Sequence, residues 1–285
     1  MYDDTIENSV NGCRSQPNIS SETIKAVCHD LEKNLIEYAS PKSMLSRIIK
    51  LFLMAEKILH NEAKASYMVE SYLQGANKVK TSDVQLENLY PSQTENILWN
   101  ISAMREIQGR LSSIVDDNEL SDCVSVLEKR EDPSLGLMLW LFPALATEKR
   151  LKTVCGILRK NPRNWTLQDK MLFWLACVQN QSDNRQVIAY VEEQILSIQL
   201  DSGAFANVEG KDEDGSVISS AIGLLVLVYC AKLKEPNGST FGKARETASW
   251  IVARLRKEQG VEALSQAWSL YALSEFIHLN MNDWR

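Results

Sequence analysis

RQVIAYVEEQILSIQLDSGAFANVEGKDEDGSVISSAIGLLVLVYC, residues 185–230, contains two kinds of helix and the turn that joins them. Over 185–198 a charged face lies opposite an apolar stripe, the pattern of a helix at the surface. Over 216–230 the chain is apolar nearly all round, and such a helix has to be buried. Between them Gly203 and Gly215 sit among Asn, Asp and Ser, which are turn residues.

The same alternation runs outward in both directions. Segments 94–107, 134–145, 167–178 and 262–277 are apolar nearly all round, whereas 119–130, 147–159 and 241–258 carry charged faces. A buried helix following a surface helix at a spacing of roughly 35–50 residues is the signature of stacked helical hairpins. Two closures fit: an open solenoid with hairpins in line, or an α/α toroid with inner helices ringed by outer ones. The inner segments are apolar and rich in Trp, Phe and Tyr, so the expectation is an all-α fold closed as an α/α toroid. Residues 21–285 would form that single domain. Helices are expected over 21–39, where Ile24, Val27, Leu31 and Leu35 recur by three and four, and over 44–59; Pro41 separates them. Residues 1–20 are polar, contain Gly12 and Pro17, and show no apolar period, so they read as a flexible arm.

Composition narrows the classes. Among 285 residues, 45% are hydrophobic and 24% charged, which excludes collagen, coiled coil and a disordered chain. Only 12 Gly and 7 Pro are present, too few for the closely spaced turns of a sandwich or barrel. A formal charge of −6 argues against a nucleic-acid partner, which would call for clustered Lys and Arg. The six Cys are widely separated, and several lie in apolar helical runs, where a free thiol behaves as a small hydrophobe. The start, Met1-Tyr2-Asp3-Asp4, lacks the apolar stretch of a signal peptide, and the longest apolar run, 221–231, is too short for a transmembrane segment. A cytoplasmic protein with reduced cysteines is expected.

The turn in the opening stretch carries a more specific pattern. Gln199 ends the outer helix, Gly203 and Phe205 follow, and Asp212-Glu213-Asp214-Gly215-Ser216 precedes the inner helix. The spacing of Gln199, Gly203 and Phe205, with acids just before the next inner helix, resembles the repeat of the terpenoid-cyclase and protein-prenyltransferase superfamily. The resemblance covers about 30 residues, with a weaker echo at Gln259-Gly260. It implies an α/α toroid and a terpenoid-cyclase-like enzyme that holds an apolar isoprenoid or polyene and cyclises it by protonation. Asp214 would be the acid and Asp212 the neighbour that tunes it, by similarity to the D-x-D-D-T motif of class II cyclases; Gly215 stands where that motif has its last aspartate. Such an acid has to be held neutral and away from water. Read from the residues alone, the same segment is a turn: Gly203 permits positive φ, Gln199 can tie down backbone groups, Phe205 can pack between hairpins, and Asp214 or Ser216 can cap the next helix.

Other chemistry is thinly represented. Only His29, His60 and His278 are present and no Cys lies near Asp212 or Asp214, so neither the zinc site of the prenyltransferase branch nor any other metal is expected. Asp116, Asp117 and Asp122 are similar to the D-D-x-x-D cluster of class I isoprenoid synthases, but they lie at a helix start, where acids oppose the dipole. No phosphate loop, nucleophile elbow or H-E-x-x-H occurs, and no cofactor is expected. The inner aromatics, chiefly Trp140, Trp174, Trp268, Phe173, Tyr229 and Tyr271, would line an apolar cavity and favour a cationic intermediate, or else fill a core. Paired carboxylates for sugar chemistry are few: Glu95, Glu106, Asp169, Glu262 and Glu275. The alternative to an enzyme is a non-catalytic helical-repeat protein that binds a protein partner.

Overall fold

The computed structural model describes residues 19–38, 46–75, 91–108, 117–180, 184–207, 215–233, 238–258 and 260–282. These residues form twelve α-helices: α1 (Ser21–Tyr38), α2 (Ser46–Leu59), α3 (Glu62–Gly75), α4 (Pro91–Gln108), α5 (Asp117–Arg130), α6 (Ser134–Leu141), α7 (Glu148–Lys160), α8 (Leu167–Asn180), α9 (Arg185–Ser197), α10 (Val217–Lys232), α11 (Ser239–Lys257) and α12 (Ala263–Asn282). No β-strand is present among the described residues, only an isolated antiparallel bridge between Gln199 and Phe205. The all-α expectation holds.

Burial follows the two sequence patterns. Of the α10 residues from Ser219 to Ala231, all but Tyr229 are buried, as are all eight residues of α6. On α7 only Leu151, Val154, Ile157 and Leu158 are buried, and on α9 only Ile188, Val191 and Ile195. The buried helices pack in a definite order: α2 against α4, α4 against α6, α6 against α8, α8 against α10, α10 against α12, and α12 against α2. The amphipathic helices lie against them, α3 on α2, α5 on α6, α9 on α8 and α10, α11 on α10 and α12, and α1 on α12. One continuous apolar core runs through all of these layers.

Charged groups show that the buried helices point the same way. Arg47 near the start of α2, Glu95 in the first turns of α4, Asp132 just before α6 and Asp169 in the first turn of α8 form one electrostatic group. Gln168 of α8 donates through Nε2 to Ser219 Oγ of α10 at 3.2 Å. The N-terminal ends of α2, α4, α6, α8 and α10 therefore share one end of the molecule, as helical hairpins with an outer return helix require.

Local sequence sets the boundaries. Ser216 caps α10, its hydroxyl accepting from Ser219 N at 3.4 Å, and Thr147 caps α7 by accepting from Arg150 N. The expected helix 134–145 stops at Leu141. Pro143 disfavours helical backbone at the preceding residue, so Phe142 leaves the helix at φ −125°, ψ 74° and Pro143–Leu145 continues as a 3-10 turn. In the opposite direction α12 runs five residues beyond the expected 277. No helix of the described residues is long and apolar enough to cross a membrane.

Candidate functional site

The Gln199 turn is a three-way joint. Gln199 Nε2 is in donor range of Thr247 Oγ1 (2.8 Å), Lys243 O (3.1 Å) and Gly203 O (3.2 Å), so one amide ties the end of α9 to α11. Thr247, fully buried, also donates to Gly203 O at 2.8 Å. Gly203 has φ +83°, and a Cβ there would come within 2.9 Å of the Glu246 backbone, so both its conformation and its neighbour demand glycine. Phe205 is fully buried, with its ring against Gly223 of α10 and its amide donating to Ser220 Oγ at 2.9 Å. Its carbonyl accepts from Ser216 N at 2.8 Å, which fixes the entry to α10. These contacts are the turn-stabilising roles read from the residues. Asp212 and Asp214, the acids implied by the resemblance, lie outside the described residues; Ser216 supplies the cap.

The inner aromatics divide into groups. Trp140 of α6 and Trp268 of α12 stack with ring centroids 5.3 Å apart, and Trp99 of α4 meets both edge-on at 5.7 and 6.0 Å. All three indoles are 3% exposed. In the neighbour order of the buried helices, α6 and α12 stand three places apart whichever way it is followed. The stacked pair therefore meets across the interior rather than between adjacent helices. Phe173 lies away from this trio, edge-on to Trp165 at 6.2 Å. The Trp174 indole is buried and its N–H has no hydrogen-bond partner.

Tyr229 and Tyr271 belong to a polar cluster. Tyr229 donates its hydroxyl to Glu275 Oε1 at 3.0 Å, and Lys232 Nζ reaches Glu275 Oε2 at 2.5 Å while lying 4.5 Å from the Tyr229 ring centre. Burial, then the Glu275 carboxylate, pushes the Tyr229 phenol up to about 12. Tyr271, fully enclosed, is raised well above its ordinary value by burial first, then by Tyr229 and Glu275. Both stay protonated at neutral pH and donate hydrogen bonds.

At the opposite end, burial first and then Asp169 raise Glu95, with Arg47 opposing. Asp169 is raised by burial although the Thr166 hydroxyl (2.6 Å) and amide (2.9 Å) bond its Oδ2. Asp132 is turned inward by its acceptance of Ser134 N at 2.9 Å. Among the described residues no three His, Cys, Asp or Glu are arranged to hold a metal ion. The described cysteines are free thiols, and burial raises Cys28 to about 12 and Cys123 to about 11, so neither is a nucleophile at neutral pH.

Sequence reasoning named Glu275 only among the inner carboxylates and missed its pairing with Lys232 and Tyr229, and it missed Glu56. The signal for Glu56 was available: it continues the stripe of Ile49, Phe52 and Leu53 on α2, where an apolar residue is due. The chain matches no protein-family model and no curated protein.

Proposed function

We propose that the chain is an α/α toroid, six inner helices ringed by six outer ones, that acts as a non-catalytic module binding a protein partner on its outer surface. The observation that supports this reading is the stack of Trp140 on Trp268 with Trp99 at its edge. A ring that accepts a polyene needs open space along its axis, and these indoles take that space at the level where they meet. The joint at Gln199 then serves to lock hairpins together. Tyr67 and Leu73, 49% and 45% exposed on α3, are large apolar groups on the outer layer and suit a protein contact.

A second reading, a terpenoid-cyclase-like enzyme, draws support from the Gln199, Gly203 and Phe205 joint, which resembles that superfamily's repeat. Asp214 would be the acid and Asp212 its modulator, with Trp140, Trp174, Trp268, Phe173, Tyr229 and Tyr271 as walls. Incubation of wild type and Asp214→Asn with geranylgeranyl diphosphate and with squalene, followed by product analysis, separates the two. The binding module gives no product with either chain. Turnover by wild type that disappears in Asp214→Asn with binding retained would replace the module by the enzyme. On the module reading, a partner cross-linked to wild type is lost from the Tyr67→Glu, Leu73→Glu double variant; retention of that partner removes α3 from the surface.

A further inference from the structure

Charged groups inside the molecule are matched to one another. Glu106 is held by Lys50 and Lys57, and Glu56, pushed up to about 8 by burial and then by the neighbouring Glu32 carboxylate, keeps its proton at neutral pH. The outer layer differs at α7. Residues 147–163 hold six Lys and Arg against one acid, Glu148, in a chain whose formal charge is −6.

Helical spacing gathers this charge on one face. Lys149, Lys152, Thr153, Gly156 and Lys160 recur by three and four on the side of α7 opposite its buried Leu151, Val154, Ile157 and Leu158, and all five are exposed. Arg163 is exposed in the turn that follows. Among the described residues neither Lys149 nor Arg163 has an acid in reach, whereas Lys152 pairs with Glu148 at 2.6 Å and Lys160 with Glu131 at 2.7 Å. Pairs made by exposed lysines are weak, so a carboxylate from outside can join or replace them. Arg150 is engaged elsewhere, on Ser121 Oγ of α5 at 2.5 Å. Glycine within a helix weakens it, and nothing in the protein calls for it at 156, where a Cβ would meet no atom within 4 Å. Close approach of another backbone from outside does call for it.

We propose that the outer face of α7 docks an acidic helical segment of a partner protein, its Asp and Glu side chains on Lys149, Lys152 and Lys160 and a small residue over Gly156. Charge complementarity sets the sign of the partner, and the span from Lys149 to Lys160, about 16 Å along the helix, sets a short segment. A nucleic acid would run beyond this face onto a chain of net negative charge. A membrane would need large apolar groups beside the cations, and those of α7 are turned inward. The face is separate from Tyr67 and Leu73 of α3 and does not depend on what fills the ring axis.

The probe is the fluorescein-labelled peptide acetyl-AEEAAEEAAEEAAEEA-amide, titrated with the full chain at pH 7 and followed by fluorescence anisotropy. Saturable binding that weakens as sodium chloride is added is expected, and the same peptide with Gln for every Glu should not bind. Lys149→Glu with Lys160→Glu should weaken binding at least tenfold. Arg256→Glu with Lys257→Glu, an equal charge change on exposed residues of α11, should leave it within about twofold. Gly156→Leu keeps the charge and has room to fold, yet should weaken binding at least tenfold by blocking the approach. Tyr67→Glu with Leu73→Glu should leave peptide binding unchanged, so failure at α3 and failure at α7 are told apart. No saturable binding by folded wild type, equal binding by the Lys149→Glu, Lys160→Glu chain, or tighter binding of oligothymidylate or of phosphatidylserine vesicles than of the peptide overturns the proposal.

Discussion

The substitution Gly223→Ala sets two known effects against each other, and the sign of the result decides whether the joint is built as described. Gly223 lies within α10, and alanine there is favoured by about 1 kcal/mol on helix propensity alone. A Cβ at 223, however, would sit 2.5 Å from Cδ2 and Cε2 of Phe205 and 2.9 Å from Cγ. Phe205 cannot retreat easily, because it is fully buried and its backbone is held by Ser216 and Ser220. Contact with several ring atoms places the overpacking near the top of its usual range, about 3 kcal/mol. The net expectation is a loss of about 2 kcal/mol for Gly223→Ala, read as a lowered urea midpoint at unchanged slope in far-UV circular dichroism. The control is the same change in a Phe205→Ala background. That background itself costs about 3–5 kcal/mol, but with the ring gone the new methyl has room and the propensity gain of about 1 kcal/mol emerges. The coupling between the two sites is thus about 3 kcal/mol, the overpacking term alone. If Gly223→Ala stabilises the wild type as much as it stabilises the Phe205→Ala chain, Phe205 does not occupy that groove and the account of the joint fails.

Four other outcomes follow from the same contacts. Gln199→Ala removes the amide that links the end of α9 to Lys243 O and Thr247 of α11, so a loss of about 1–3 kcal/mol is expected by chemical denaturation; a change within error would show the amide to be idle. A double-mutant cycle on Trp140→Ala and Trp268→Ala should return a coupling of about 0.5–1.5 kcal/mol for the stack, and independent effects would separate the rings. Glu56 keeps its proton to about 8 when folded and loses it near 4.5 when unfolded, so its contribution is full below pH 4.5 and disappears as pH rises through 8. Glu56→Gln should therefore gain on the wild type in unfolding free energy between pH 5 and pH 8, by an amount on the order of 2 kcal/mol after allowance for coupling to Glu32, read from urea midpoints along the pH series; parallel pH profiles would mean that the carboxyl is ordinary. Tyr229 is raised similarly, so wild-type stability should fall as pH rises from 10 towards 12 more steeply than that of Tyr229→Phe.

What could be read from the chain, and what could not, separates along the range of the forces involved. The joint at Gln199 was legible because its determinants are local: a glycine that must take positive φ, an amide within reach of a helix end, and a ring two residues on. The alternation of stripes against all-round apolar segments likewise reports burial helix by helix, and it gave α7, α9, α10 and α11 nearly to the residue. It failed at Phe142 because a single proline overrides an apolar run, and it left α3 unassigned because that helix exposes Tyr67 and Leu73 as well as its charges. Pairings across the interior have no local signature. Nothing in the neighbourhood of Trp140 indicates that its partner is Trp268 rather than Trp174, since the choice is made by which helices face one another. That choice bears directly on function: the same inner aromatics suit a cavity wall when they stand apart and a core when they interlock. Trp140 and Trp268 stack between helices on opposite sides of the neighbour order, with Trp99 edge-on to both, and this is why the binding-module reading is preferred to the one that the turn motif alone would suggest.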